Sequence, residues 1–125
     1  MQKIIFVVDD SGVNLAVAKE ALINNFRVMT MLSAVKMFQL MEKVMPDLIL
    51  LDIQMPEMDG FEAVQCLKNN NKHPDIPVIF LTSTIDASII ERSNQLGSFD
   101  IIKKPFSSSE LIEKINARLN IDAAE

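Results

Sequence analysis

Leu48-Ile49-Leu50-Leu51-Asp52-Ile53-Gln54-Met55-Pro56-Glu57-Met58-Asp59-Gly60 is the stretch that decides the fold. Four aliphatic residues in a row, without polar alternation, describe a strand covered on both faces, as in a parallel sheet. A carboxylate at the tip of such a strand is costly to bury unless chemistry uses it. The same pattern recurs at Ile4-Ile5-Phe6-Val7-Val8, which ends in Asp9-Asp10, and at Ile101-Ile102, which leads into Lys103-Lys104-Pro105. Ligands of open parallel sheets bind outside the carboxyl ends of the strands. Three acids and one amine are therefore expected at one crevice.

Outward from these runs the chain alternates between strand and helix signals. Strands are predicted at residues 3–8, 26–30, 47–51, 77–81 and 99–102. Helical spacing runs over 13–24 (Leu15, Ala18, Leu22), 33–45 (Met37, Leu40, Met41, Val44) and 60–69 (Phe61, Val64, Leu67), with Pro46 ending the second. A fourth helix over 85–96 is stopped by Gly97. A fifth starts at a capping box, Ser107 with Glu110, flanked by Phe106 and Leu111 at the staple positions, and its stripe is Leu111, Ile112, Ile115 and Leu119. Five βα units with right-handed crossovers give an α/β, doubly wound, five-stranded parallel sheet of order 2-1-3-4-5 with five helices. Residues 120–125 are polar and are expected to fray.

Bulk properties set the class. The 125 residues suit one domain, read here as residues 1–125, and 49% hydrophobic content fits a globular chain. No apolar run approaches the ~20 residues of a membrane span, and Met1 leads straight into a strand without signal-peptide features. The lone Cys66 forms no internal disulfide, in keeping with a cytoplasmic location. A net charge of −5 with scattered basic residues argues against direct nucleic-acid binding. Cys66 and the eight methionines read as packing residues, and His73, with Pro74 behind it, as a loop residue.

Asp9, Asp10 and Asp52 form an oxygen-only cluster, which suits Mg²⁺ or Mn²⁺. A metal there brings phosphate oxygens to a carboxylate, which can act as nucleophile and form an aspartyl phosphate. Thr82, ending Val78-Ile79-Phe80-Leu81, offers a hydroxyl to a phosphoryl oxygen; alone it reads equally well as a turn residue. Asp9-Asp10 alone would read as a helix cap, which accounts for one acid but not for two plus Asp52. One of Lys103 and Lys104 enters the crevice, and the residues alone barely separate them.

Taken together, Val8-Asp9-Asp10, the string from Asp52 to Gly60, Leu81-Thr82-Ser83 and Lys104-Pro105-Phe106 resemble the receiver domains of two-component response regulators, from Ile4 to Leu119. The resemblance implies a flavodoxin-like receiver fold and a phosphorelay switch rather than an enzyme acting on other substrates. Asp52 would accept a phosphoryl group from a histidine kinase or phosphotransfer protein. Asp10, Asp52 and the backbone carbonyl of Gln54 would hold Mg²⁺, with Asp9 acting through water. Thr82 would be the switch hydroxyl and Lys104, before a cis-prone proline, the site lysine. A downstream protein or output domain would read the fourth helix, fifth strand and fifth helix, a face also open to homodimerisation. Gln54 and Thr84, neither a strong base, imply no unusually rapid self-hydrolysis.

One position departs from the family. Ile101 stands where a Tyr or Phe is usual, and its stiff aliphatic side chain cannot swing a ring. Signalling should then rely more on the loop after Thr82 and on the fourth helix. Competing readings fit less well. A Mg²⁺-dependent aspartyl-phosphate phosphohydrolase of the haloacid dehalogenase type needs an acid where Ser11 stands and substrate-capping insertions. A flavodoxin-like cofactor site would set Asp9-Asp10 against a phosphate. A phosphohistidine carrier would depend on His73. The segment from Asp75 to Thr82 also resembles receivers fused to kinases or cyclic-dinucleotide enzymes.

Overall fold

Which residues form the sheet follows from where water is excluded. The structure, a computed structural model, describes residues 2–69, 75–97 and 99–120. In chain order the elements are β1 (Ile4–Val8), α1 (Gly12–Leu22), β2 (Arg27–Met31), α2 (Ala34–Met41), β3 (Leu48–Asp52), α3 (Gly60–Asn69), β4 (Val78–Thr82), α4 (Ala87–Leu96), β5 (Asp100–Lys103) and α5 (Ser108–Leu119). The strands pair in parallel in the order β2-β1-β3-β4-β5, as the βα alternation predicts. Every residue of β3 and β4 is buried, which is why neither shows polar alternation.

Successive strand residues face opposite sides, and the core divides accordingly. Phe6, Val8, Ile49, Leu51, Val78 and Phe80 pack under α2, α3 and α4. Ile5, Val7, Leu50, Ile79, Leu81 and Ile102 pack under α1 and α5. The stripes Leu15–Ala18–Leu22 of α1 and Phe61–Val64–Leu67 of α3 are buried as their spacing predicts.

Element ends differ from the sequence reading where side chains compete for backbone groups. α1 starts at Gly12 because Ser11, not an aspartate, caps it, its Oγ accepting from Asn14 N at 3.3 Å. α2 stops at Met41, four residues early. The chain tightens there through Lys43 N to Leu40 O (2.9 Å), so that Asp47 can reach Ile4 N with its carboxylate at 2.8 Å. α4 begins at Ala87, capped by Asp86, which accepts from Ile89 N at 3.0 Å and Ser88 Oγ at 2.7 Å. Gly97 ends it at φ +135°, a conformation that favours glycine.

Ser107 accepts from Glu110 N at 3.1 Å, the forward half of the expected box. A reciprocal box lies elsewhere: Asp59 Oδ1 accepts from Glu62 N at 2.8 Å while Glu62 Oε1 accepts from Asp59 N at 3.1 Å. Asp59→Ala should therefore lower the unfolding free energy by about 1 to 2 kcal/mol, and Glu62→Ala by less, as urea titrations would show. The expectations for His73 and for the tail beyond Asn120 fall outside the described residues.

Candidate functional site

Four strand ends converge. β3 carries Asp52 as its last residue and β4 carries Thr82 as its last; Asp9 and Lys104 lie one residue past β1 and β5. The ladder continues past β5 through Lys104 N to Thr82 O at 2.8 Å, which fixes where the lysine side chain departs. Lys103 is exposed. Lys104 instead enters the crevice, its Nζ 2.8 Å from Asp9 Oδ2 and 3.3 Å from Asp52 Oδ1. The peptide bond between Lys104 and Pro105 is cis.

Asp9 and Asp52 are only 1% and 4% exposed, whereas Asp10 opens to solvent. Carboxylate oxygens of all three lie within 4.8 Å of one another. Asp9 is held on both sides, since its Oδ1 also accepts from Ser11 N at 2.9 Å. Asp52 Oδ1 accepts from Gln54 N at 3.4 Å. Burial, reinforced by the charge of Asp9, pushes the Asp52 carboxyl up from 3.8 to about 6, against the opposing pull of Lys104. For Lys104, burial opposes the ammonium, but the hydrogen bond to Asp9 and the charges of Asp52 and Asp9 outweigh it and raise its pKa.

Three carboxylates face one ammonium, so the ionised cluster carries net negative charge. Its donors are all hard oxygens without histidine or cysteine, a set that fits Mg²⁺ or Mn²⁺ and not a thiolate-seeking metal.

Thr82 is fully buried, and its hydroxyl is committed to its own loop. Oγ1 donates to Thr84 O at 2.9 Å and accepts from Thr84 N at 3.2 Å. The turn role open to Thr82 on sequence grounds is the one displayed here. A buried hydroxyl must find partners, and here both are backbone groups of the loop that follows. Ile101 is half-buried against the α2–α4 side of the core, in register with Phe80. The aromatic density lies elsewhere: Phe61, Phe80 and Phe99 form a row of edge-to-face contacts at 5.0 and 5.5 Å. Arg92 of α4 stacks on Phe61 at 5.0 Å, a residue that the sequence reading did not single out.

A family profile described as response regulator receiver domain matches residues 5–116. The polar-differentiation response regulator DivK of Brucella ovis is 32% identical, over 95% of this chain and 98% of its own length. A probable cyclic di-GMP phosphodiesterase of Vibrio cholerae is 34% identical over 92% of this chain. The chain spans only 26% of that relative, and 7% of hybrid signal transduction histidine kinase D of Dictyostelium discoideum, which is 32% identical over 90% of this chain.

Among solved structures, chemotaxis protein CheY4 of Vibrio cholerae superposes with a TM-score of 0.87 at 22% identity, covering 94% of this chain and 98% of that one. The BeF3-activated DrrB receiver domain of Thermotoga maritima gives 0.84 at 27% identity, covering 96% and 99%. The chain belongs to the response regulator receiver domain family, the phosphorelay switches of two-component signalling. Domains of this family bind Mg²⁺ at an acidic pocket and work with histidine kinases and output domains. No helix among the described residues is long and apolar enough to cross a membrane.

Proposed function

We propose that Asp52 accepts a phosphoryl group from the phosphohistidine of a kinase or phosphotransfer protein, and that the whole chain, residues 1–125, serves as that one switch domain. The observation that carries this reading is a buried carboxylate within 4.8 Å of two others and 3.3 Å from an ammonium. Asp9, Asp10, Asp52 and the Gln54 carbonyl would hold Mg²⁺, which when bound neutralises charge on the phosphoryl oxygens.

The chain's own residues do the rest. Asp52 is mostly ionised above pH 7, so an oxygen lone pair is available for attack. Lys104 already stands beside that oxygen and supplies charge where phosphoryl oxygens arrive. Thr82 exchanges its loop partner for the new acceptor by rotating one side-chain torsion, which releases Thr84 and the start of α4. Phosphorylation adds about −1.5 to −2 charges at this point.

A downstream partner or output domain then reads the α4–β5–α5 face. Ile85 (39% exposed) just before α4 and Ile90 (46%) upon it offer apolar contact there, to a partner or to a second copy of the chain. The switch is assigned to the cytoplasm, it catalyses only its own phosphorylation and slow hydrolysis, and it contacts neither nucleic acid nor membrane itself.

Incubation with a small acyl phosphate and Mg²⁺, followed by intact-mass measurement, tests the assignment. A phosphoryl adduct is expected with metal and not after chelation, and none in Asp52→Asn. An adduct retained in that variant would move the acceptor elsewhere.

A further inference from the structure

A cavity of about 530 Å³ opens beside the acid cluster, between the loop after β3 and helix α4. Asp10 and Gln54 line the end next to Asp52, Arg92 and Ile89 line the α4 wall, and Phe61 of α3 lies beneath Arg92. Arg92 is held by stacking rather than by an ion pair. Its guanidinium lies over Phe61, and Phe61 is fixed edge-to-face on the fully buried Phe80. Among the described residues no carboxylate lies within ion-pair distance of Arg92. Asp59, which lines the same cavity, is occupied in capping α3. A guanidinium stacked on a ring keeps its N–H edge free for a planar anion such as a carboxylate. The cavity therefore has an acidic end, where a phosphoryl would be transferred, and a cationic wall.

We infer that Arg92 receives the departing carboxylate of small acyl phosphates and so favours these donors over phosphoramidates. The inference rests on Asp52 being the acceptor. With an acyl phosphate, an Asp52 oxygen forms the new O–P bond while the acyl O–P bond breaks. The electron pair of that bond leaves on the carboxylate, and no proton moves. Negative charge grows on the leaving group during the step, so a cation fixed beside it lowers the barrier. With phosphoramidate the P–N bond breaks and the protonated nitrogen departs as neutral ammonia. Arg92 then has no developing anion to stabilise.

The test is the time course of adduct formation, by intact mass, for the wild-type chain, Arg92→Ala and Arg92→Lys, with acetyl phosphate and with phosphoramidate at one Mg²⁺ concentration. Arg92→Ala should lower the acetyl phosphate rate about tenfold relative to the phosphoramidate rate, the scale of one hydrogen bond to a charged group. Arg92→Lys, which keeps the charge, should recover most of that ratio. An unchanged ratio in Arg92→Ala, including a proportional fall of both rates, would overturn the inference and leave Arg92 as a prop for α4. Absence of adduct from both donors in the wild-type chain would instead overturn the assignment of Asp52.

Discussion

Gly60→Ala should lower the unfolding free energy by about 3 kcal/mol, more than any cap substitution in this chain. Gly60 opens α3 and is buried beneath the end of β3. A Cβ built there would lie 2.5 Å from the Asp52 carbonyl oxygen and 2.9 Å from Ile53 Cα. Both obstacles are backbone, so no side chain can turn aside to admit the methyl group. The same junction is fixed by Gly60 N donating to Ile53 O at 2.8 Å. Relief would require α3 to move away from β3, carrying with it the Asp59–Glu62 box and the packing of Phe61 on Phe80. The glycine therefore lets a helix start in contact with the strand whose tip is Asp52. Urea denaturation would show the loss as a lower midpoint, and a loss below about 1 kcal/mol would mean that the junction is softer than its contacts suggest.

Much of this architecture is legible in single residues. β3 and β4 are announced by apolar runs because both faces are covered, and the stripes of α1 and α3 are buried as spaced. The convergence of Asp9, Asp10 and Asp52 follows from strand order, since β1 and β3 are neighbours. Lys103 and Lys104 were separable only by resemblance, because a strand of four residues gives too little alternation to say which faces inward. The structure sends Lys104 to the acids and leaves Lys103 exposed. The early end of α2 was hidden because Val44 looks helical in spacing, while the competing tie between Asp47 and Ile4 spans 43 positions. The Asp59–Glu62 box and the Asp86 cap could have been read, as both place a capping acid just before the first helical residue. Arg92 on Phe61 could not, since it joins two helices 31 positions apart in the sequence.

Asp52→Asn should make the metal-free domain more stable at pH 7.5 than the wild type, although it removes the proposed acceptor. Asp52 is an acid whose folded-state pKa, about 6, lies above its ordinary 3.8. Between those values the folded chain binds the proton more tightly than the unfolded chain, so stability falls as pH rises through the window. Above it the wild type bears the full penalty of an ionised carboxylate that is buried and crowded by Asp9. The asparagine variant bears none, and its amide oxygen can still accept from Gln54 N, while Lys104 keeps Asp9 at 2.8 Å. The displacement from 3.8 to about 6 bounds the gain at about 3 kcal/mol. The folded-state value of about 6 already includes the pull of Lys104, so losing that tie takes nothing further from the bound, and the expected gain is about 2 to 3 kcal/mol. The difference should vanish below about pH 4, where both carry a neutral group at this position. Adding Mg²⁺ at pH 7.5 should narrow or reverse it, because a cation that binds the folded wild type stabilises it by mass action and finds one carboxylate fewer in the variant. Urea titrations at pH 4 and pH 7.5, with and without Mg²⁺, measure all of these quantities. A metal-free variant less stable than wild type at pH 7.5 would mean that Lys104 already compensates the cluster, leaving no electrostatic demand for a divalent ion.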